Sequence, residues 1–115
     1  MSARVAVVGN SDLNIGFAVA ADLALAGHQV RLAHWPEFAT ALEPIRKRGG
    51  IAVEGDAAEL ISATTGVAQL HAITTDIPEA VVGADIVFID VPVAELEWRF
   101  RSLVPHLDDG QIVHQ

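Results

Sequence analysis

Along this chain, short apolar runs alternate with stretches of helical periodicity, and glycines stand where one gives way to the other. Val5-Ala6-Val7-Val8 is continuously apolar, ends at Gly9, and reads as a strand buried on both faces. A polar segment from Asn10 to Asn14 follows, after which Ile15, Val19, Leu23 and Ala26 recur at helical spacing. The small residues Gly16, Ala18, Ala20 and Ala21 let that helix lie close against a sheet, and Gly27 stands where a helix C′ glycine belongs. Residues 29–33 predict a second strand with Val30 and Leu32 inward. Pro36 suits a first helical turn, and Phe38, Leu42 and Ile45 predict a helix over 37–48 that Gly49-Gly50 stops.

Residues 51–54 and 66–74 read as strand pieces around 57–63, a segment suited to a short helix or to part of a hairpin. Asp76 is an N-cap for a short helix through Val82. Ile86-Val87-Phe88-Ile89 is another buried strand, residues 92–104 a helix, and Ile112-Val113 the opening of a last strand. This alternation predicts one α/β domain over residues 1–115, a minimal Rossmann-type, doubly wound parallel sheet. Right-handed crossovers favour the strand order 3-2-1-4-5, with a small antiparallel addition around residues 51–74.

Composition narrows the chemistry. At 115 residues and 51% hydrophobic, the chain holds a single core and is not a disordered tail. It has no cysteine, hence no disulfide, no thiolate nucleophile and no cysteine-ligated metal. A formal net charge of -8 repels phosphate backbones, and the basic cluster Arg46-Lys47-Arg48 is too short to attract nucleic acid. No apolar run approaches the ~20 residues of a membrane span, and the start is too short for a signal peptide, so a cytoplasmic protein is expected. The histidines are scattered, so no metal site is expected, and the serines lack a nucleophile-elbow setting.

A strand, a glycine-containing turn and a small-residue helix make a candidate dinucleotide site, because phosphates sit on free N–H groups at a helix N-terminus. The usual G-x-G-x-x-G is here lengthened by two residues, from Gly9 to Gly16, with Ser11 where the second glycine would stand. Asp12 would face a pyrophosphate, and like charges a few ångströms apart cost on the order of 1–4 kcal/mol. The competing reading is that Asp12 or Asn14 simply caps the helix. At the end of strand two, where NAD sites carry an acid, stands His34; protonated, it would pair with the 2′-phosphate of NADP, and otherwise it is a surface histidine beside Trp35. The cofactor-binding candidates are therefore Gly9, Asn10, Ser11, Gly16 and His34, for NADP or NAD, or for no cofactor at all. Asp90 directly follows the apolar run 86–89, at the strand end where ligands of open α/β sheets bind. It is either an acid/base group, with Asp12 or His34 as companion, or an acceptor for N–H groups of the next helix or of the glycine loop.

Glu95, Glu97, Arg99 and Arg101 are spaced as i,i+4 pairs on a solvated helix face. Trp98 and Phe100 on the same helix are large apolar rings that suit self-association or a partner subunit.

Strings along the whole chain resemble the opening of the octopine/nopaline (opine) dehydrogenases. They include Val5-Ala6-Val7-Val8-Gly9, Ala20-Ala21-Asp22-Leu23-Ala24-Leu25-Ala26-Gly27-His28, Pro44-Ile45-Arg46-Lys47-Arg48-Gly49-Gly50-Ile51, Ala84-Asp85-Ile86-Val87, and Asp109-Gly110-Gln111-Ile112-Val113. The resemblance implies a Rossmann domain for NAD(P)H, to which a separate helical domain adds the substrate site for reductive coupling of an amino acid to a 2-oxo acid. The family's catalytic histidine and its carboxylate partner lie beyond the region matched, so a chain ending at Gln115 would be a truncated, not self-sufficient, member. Three functions follow as expectations: an NAD(P)H-binding module that works with a missing domain or partner; a cofactor-free isomerase, cyclase or lyase using the emptied crevice; and a non-catalytic assembly subunit.

Overall fold

The computed structural model describes residues 2–11, 14–52 and 67–115. Strand β1 (Arg4–Val8) leads through the glycine loop into helix α1 (Ile15–Leu25), and β2 (Gln29–Ala33) follows. A 3-10 turn over Pro36–Phe38 opens onto α2 (Ala39–Arg48), then come β3 (Gly50–Ala52), β4 (Val67–Gln69) and β5 (Ala72–Thr74). The chain closes with α3 (Ile77–Val81), β6 (Ile86–Ile89), α4 (Leu96–Leu103) between two 3-10 turns, and β7 (Ile112–His114).

Five strands form one parallel sheet in the order β5-β2-β1-β6-β7, which is the expected 3-2-1-4-5. The antiparallel addition is narrower than expected. It consists of β3 against β4, whereas β5 pairs in parallel with β2 and is the third strand of the main sheet. The segment 57–63 lies outside the described residues.

Alternation along the strands builds two cores, one on each face. Val5, Val7, Val30 and Leu32 pack with Ala20 of α1 and Leu42 and Ile45 of α2. Ala6, Val8, Val87 and Ile89 pack with Val81 of α3 and Leu103 of α4. Phe38 does not join Leu42 and Ile45 as its spacing suggested. It falls in the 3-10 turn before α2, is 40% exposed, and stacks on His34 instead.

The β1–α1 turn is where backbone meets backbone. A Cβ on Gly16 would lie 2.1 Å from the Gly9 carbonyl oxygen, and one on Gly9 would lie 2.4 Å from the Asp90 carbonyl oxygen. Gly9 also has φ +91°, the left-handed region that other residues avoid. These two positions bring helix, loop and β6 into direct contact. Asp76 caps α3 as expected, accepting the Glu79 N–H at 3.2 Å.

Candidate functional site

The strand order reverses at β1, between β2 and β6, so the carboxyl ends of these three strands open into the crevice where such sheets bind ligands. Every described sequence candidate lies there: Gly9, Asn10 and Ser11 after β1, Gly16 in the first turn of α1, His34 after β2 and Asp90 after β6. Asp12 lies outside the described residues.

Asp90 joins the loop to the sheet. Its Oδ2 accepts the Gly16 N–H at 2.6 Å and the Ser11 N–H at 2.7 Å, while its own N–H donates to the Val8 carbonyl at 2.9 Å. A carboxylate on the first N–H groups of a helix is favoured both by charge-assisted bonding and by the helix dipole. The neighbouring Phe17 N–H is taken by Asn10 Oδ1 at 2.9 Å, and Asn10 Nδ2 in turn donates to Asn14 Oδ1 at 2.7 Å. Capping of α1 by Asn14 is thereby corrected: Asn14 adopts the left-handed conformation and makes no side-chain cap bond, and its oxygen serves Asn10. The caps are Asn10 and Asp90.

Two cavities meet at this junction. The larger, about 500 Å³, is bordered by Ile15, Phe88, Ile89, Val91, Pro92 and Val93 together with Ser11 and Asp90. The smaller, about 200 Å³, lies toward the end of β2 and is bordered by Asn10, Ser11, Asp90, His34, Trp35, Phe38, Glu95 and Arg99. Ser11, Asp90, Val91 and Pro92 border both. The Ser11 hydroxyl is buried and has no hydrogen-bond partner among the described residues, the situation buried polar groups ordinarily avoid.

His34 is not a surface residue. It is 5% exposed, with Phe38 stacked on it at 4.5 Å and Phe17 edge-on at 6.4 Å. Its Nδ1 accepts the Trp35 N–H at 3.1 Å, which places the proton of the neutral ring on Nε2. Burial, and then the charge of Arg99, hold its pKa below the ordinary 6.5, against the opposing pull of Glu37 and Asp90. His34 at neutral pH is therefore an uncharged donor and not a cation for a 2′-phosphate.

Arg99 is the residue that the solvated-face reading missed. The Glu95 pair exists, but Arg99 is 3% exposed. Its Nε and Nη2 donate to Glu95 Oε1 at 3.0 and 2.7 Å, and its Nη1 donates to Glu37 Oε1 at 2.8 Å. The guanidinium lies 4.5 Å from the Trp35 ring centroid and 4.1 Å from that of Trp98. Burial works against its charge, but the bonds to Glu37 and Glu95 outweigh this and raise its pKa. The available signal was periodicity: Arg99 stands at i+3 from Leu96 and i−4 from Leu103, the inward stripe of α4. Phe100 packs against the chain's own core, whereas Trp98 is 53% exposed.

Beyond this crevice, a groove of about 590 Å³ runs between α4 and β7, bordered by Leu96, Phe100 and Val113. No group of three or more histidine, cysteine, aspartate or glutamate side chains among the described residues could hold a metal ion. No helix among them is long and apolar enough to cross a membrane.

No protein-family model matches the chain, and no curated protein matches it significantly. Solved structures do. A PanE/ApbA family ketopantoate reductase from Ralstonia eutropha JMP134 superposes with TM-score 0.64 at 22% identity, over 95% of this chain and 32% of its own. The dehydrogenase part of multifunctional enzyme 1 from C. elegans gives 0.56 at 20% identity, over 98% and 26%. The chain thus spans about a third and a quarter of these proteins' lengths, and at such identity the likeness establishes the Rossmann-type fold.

Two predictions follow from the site. Asp90→Ala strands the Gly16 and Ser11 N–H groups and is expected to lower the unfolding free energy by about 2–4 kcal/mol in urea titrations. Asp90→Asn, which keeps an acceptor, should cost less; equal stability of all three proteins would contradict the bonding described. Second, His34 resists protonation when folded, whereas the unfolded chain binds the proton near 6.5. Its contribution is complete above pH 6.5 and is lost as pH falls below it, because the unfolded state then binds more protons. Unfolding free energies at pH 7.5 and 5.5 should therefore differ more for the wild type than for His34→Asn, and identical differences would contradict a buried neutral His34.

Proposed function

We propose that the chain is an NAD(P)-binding Rossmann module, similar to the cofactor domain of opine dehydrogenases, which takes part in oxidoreductase chemistry together with further polypeptide. The observation that carries this reading is the pair of unlike cavities meeting at Ser11 and Asp90 across the reversal of strand order. A dinucleotide has two unlike ends joined by a charged middle. His34, Trp35, Phe38, Glu95 and Arg99 border only the small cavity, and Ile15, Phe88, Ile89 and Val93 only the large one.

The residues fit such a group in three respects. Gly9 and Gly16 keep the loop tight against the helix, the Ser11 hydroxyl is a free donor at the junction, and Trp35 and Phe38 border the small cavity where a base would lie. Asp90 limits the fit at the middle, since it already holds two of the amides that the usual fingerprint leaves for phosphate. Bound there, the nicotinamide would supply hydride transfer. The chain's own part is to orient the two ends, to shield the larger cavity from water and to offer the Ser11 hydroxyl.

Further polypeptide is supported by exposed apolar side chains, Val93 at the α4–β7 groove and Trp98 and Ile112 elsewhere on α4 and β7, and by the greater length of the structural neighbours. A second copy of the chain is the other occupant this surface suits.

Calorimetric titration with NADH tests the proposal. Saturable one-site binding in the micromolar range is expected, weakened about 3- to 10-fold in Ser11→Ala, the loss of one hydrogen bond. A flat titration of the wild-type protein would remove the reading.

A further inference from the structure

The smaller cavity carries chemistry that the glycine loop does not explain. In the usual arrangement, the acid at the end of the second strand accepts the ribose hydroxyls, and a cation there accommodates a 2′-phosphate. This chain has neither at that position, only His34. We infer that Glu95, reaching the cavity from the 3-10 turn that leads into α4, takes the place of the missing acid, so that the site accepts an adenosine with a free 2′-hydroxyl and discriminates against a 2′-phosphate. The inference rests on the dinucleotide reading above and names the cofactor that reading left open.

Three features of the cavity support it. Glu95 borders the cavity and uses only Oε1 toward Arg99, so Oε2 receives no hydrogen bond among the described residues. A carboxylate oxygen is an acceptor only, which suits a hydroxyl and repels a phosphate. Arg99, the cation at hand, is already neutralised: all three guanidinium nitrogens donate to Glu95 or Glu37, and its ring contacts are with Trp35, Trp98 and Phe38. His34 adds no positive charge, because burial keeps it neutral. Asp90, Glu95 and Glu37 thus stand against one guanidinium, and a dianionic 2′-phosphate would enter a region already net negative.

The arrangement also shows how the selectivity is held. Glu95 and Arg99 are an i,i+4 pair across the start of α4, and the Arg99 guanidinium also lies against the rings of Trp35 and Trp98. The carboxylate is fixed by a partner that cannot swing away to serve a phosphate. Removing the charge of Glu95 changes both sides of the balance, since it takes away an acceptor and releases part of the guanidinium.

The test is calorimetric titration of the same protein with NADH and with NADPH, repeated on Glu95→Gln. The wild type is expected to bind NADH at least about tenfold more tightly, the factor produced by about 1.4 kcal/mol of repulsion. In Glu95→Gln the ratio should fall by about tenfold, through weaker NADH and tighter NADPH binding. Because Glu95 also braces Arg99, Glu37→Gln serves as a second variant. Its side chain is largely exposed, and it should shift the ratio in the same direction by a smaller factor. Binding of both nucleotides with NADPH equal or preferred would overturn this inference and leave the dinucleotide site standing. A ratio unchanged in both variants would do the same. No binding of either nucleotide would overturn the underlying reading, and this inference with it.

Discussion

One carboxylate oxygen organises this molecule's functional end. Asp90 Oδ2 lies at the carboxyl end of β6 and holds the N–H groups of Ser11 and Gly16 within 2.7 Å. Those amides belong to a turn and a helix that would otherwise present unpaired donors at the rim of the sheet. The bonds draw the β1–α1 turn onto β6, and the close packing of Gly9 and Gly16 follows from that approach. Replacing either glycine would push apart the backbone segments that Asp90 ties together. The crevice has its shape, divided at Ser11 and Asp90 into two cavities, because this junction is tight.

The same interaction alters the site's chemistry. A helix N-terminus is ordinarily offered to an external anion, and here the chain's own anion occupies part of it. The Ser11 hydroxyl, buried without a partner among the described residues, then becomes the loop's uncommitted donor. On the far side of the junction, charge is arranged in the opposite sense from a phosphate site, with carboxylates facing the cavity and the one arginine neutralised and flanked by rings. A chain of net charge -8 has little positive potential with which to draw phosphates in, so recognition falls to shape and to a few placed acceptors.

Much of the fold was legible in the sequence. Val5–Val8 and Ile86–Ile89 are apolar runs that only the interior of a parallel sheet accommodates, and right-handed connections leave few ways to order the strands. The positions of Gly9, Ser11, Gly16, His34 and Asp90 around one crevice follow from that order alone. Their bonding was legible only in part. Asp90 was expected to be either an acid/base group or an acceptor for N–H groups of the next helix or of the glycine loop, and it accepts from the glycine loop and the turn of α1 that follows. Asp90 and Gly16 are 74 residues apart, and nothing local singles out the two amides it holds. The burial of Arg99 was hidden for a different reason. Its pairing with Glu95 looks the same on a solvated face, and only the inward stripe from Leu96 to Leu103 distinguishes the two settings. Phe38 was misplaced because a 3-10 turn interrupts the helical period before α2 begins.

The most direct test of the whole account is where a nucleotide touches the protein. Backbone ¹H–¹⁵N correlation spectra recorded during addition of NADH report this amide by amide. The account predicts that the largest shifts fall on Gly9, Asn10, Ser11, Gly16 and Trp35, around the junction that Asp90 holds. Shifts confined to the groove between α4 and β7, or no shifts at saturating NADH, would contradict it.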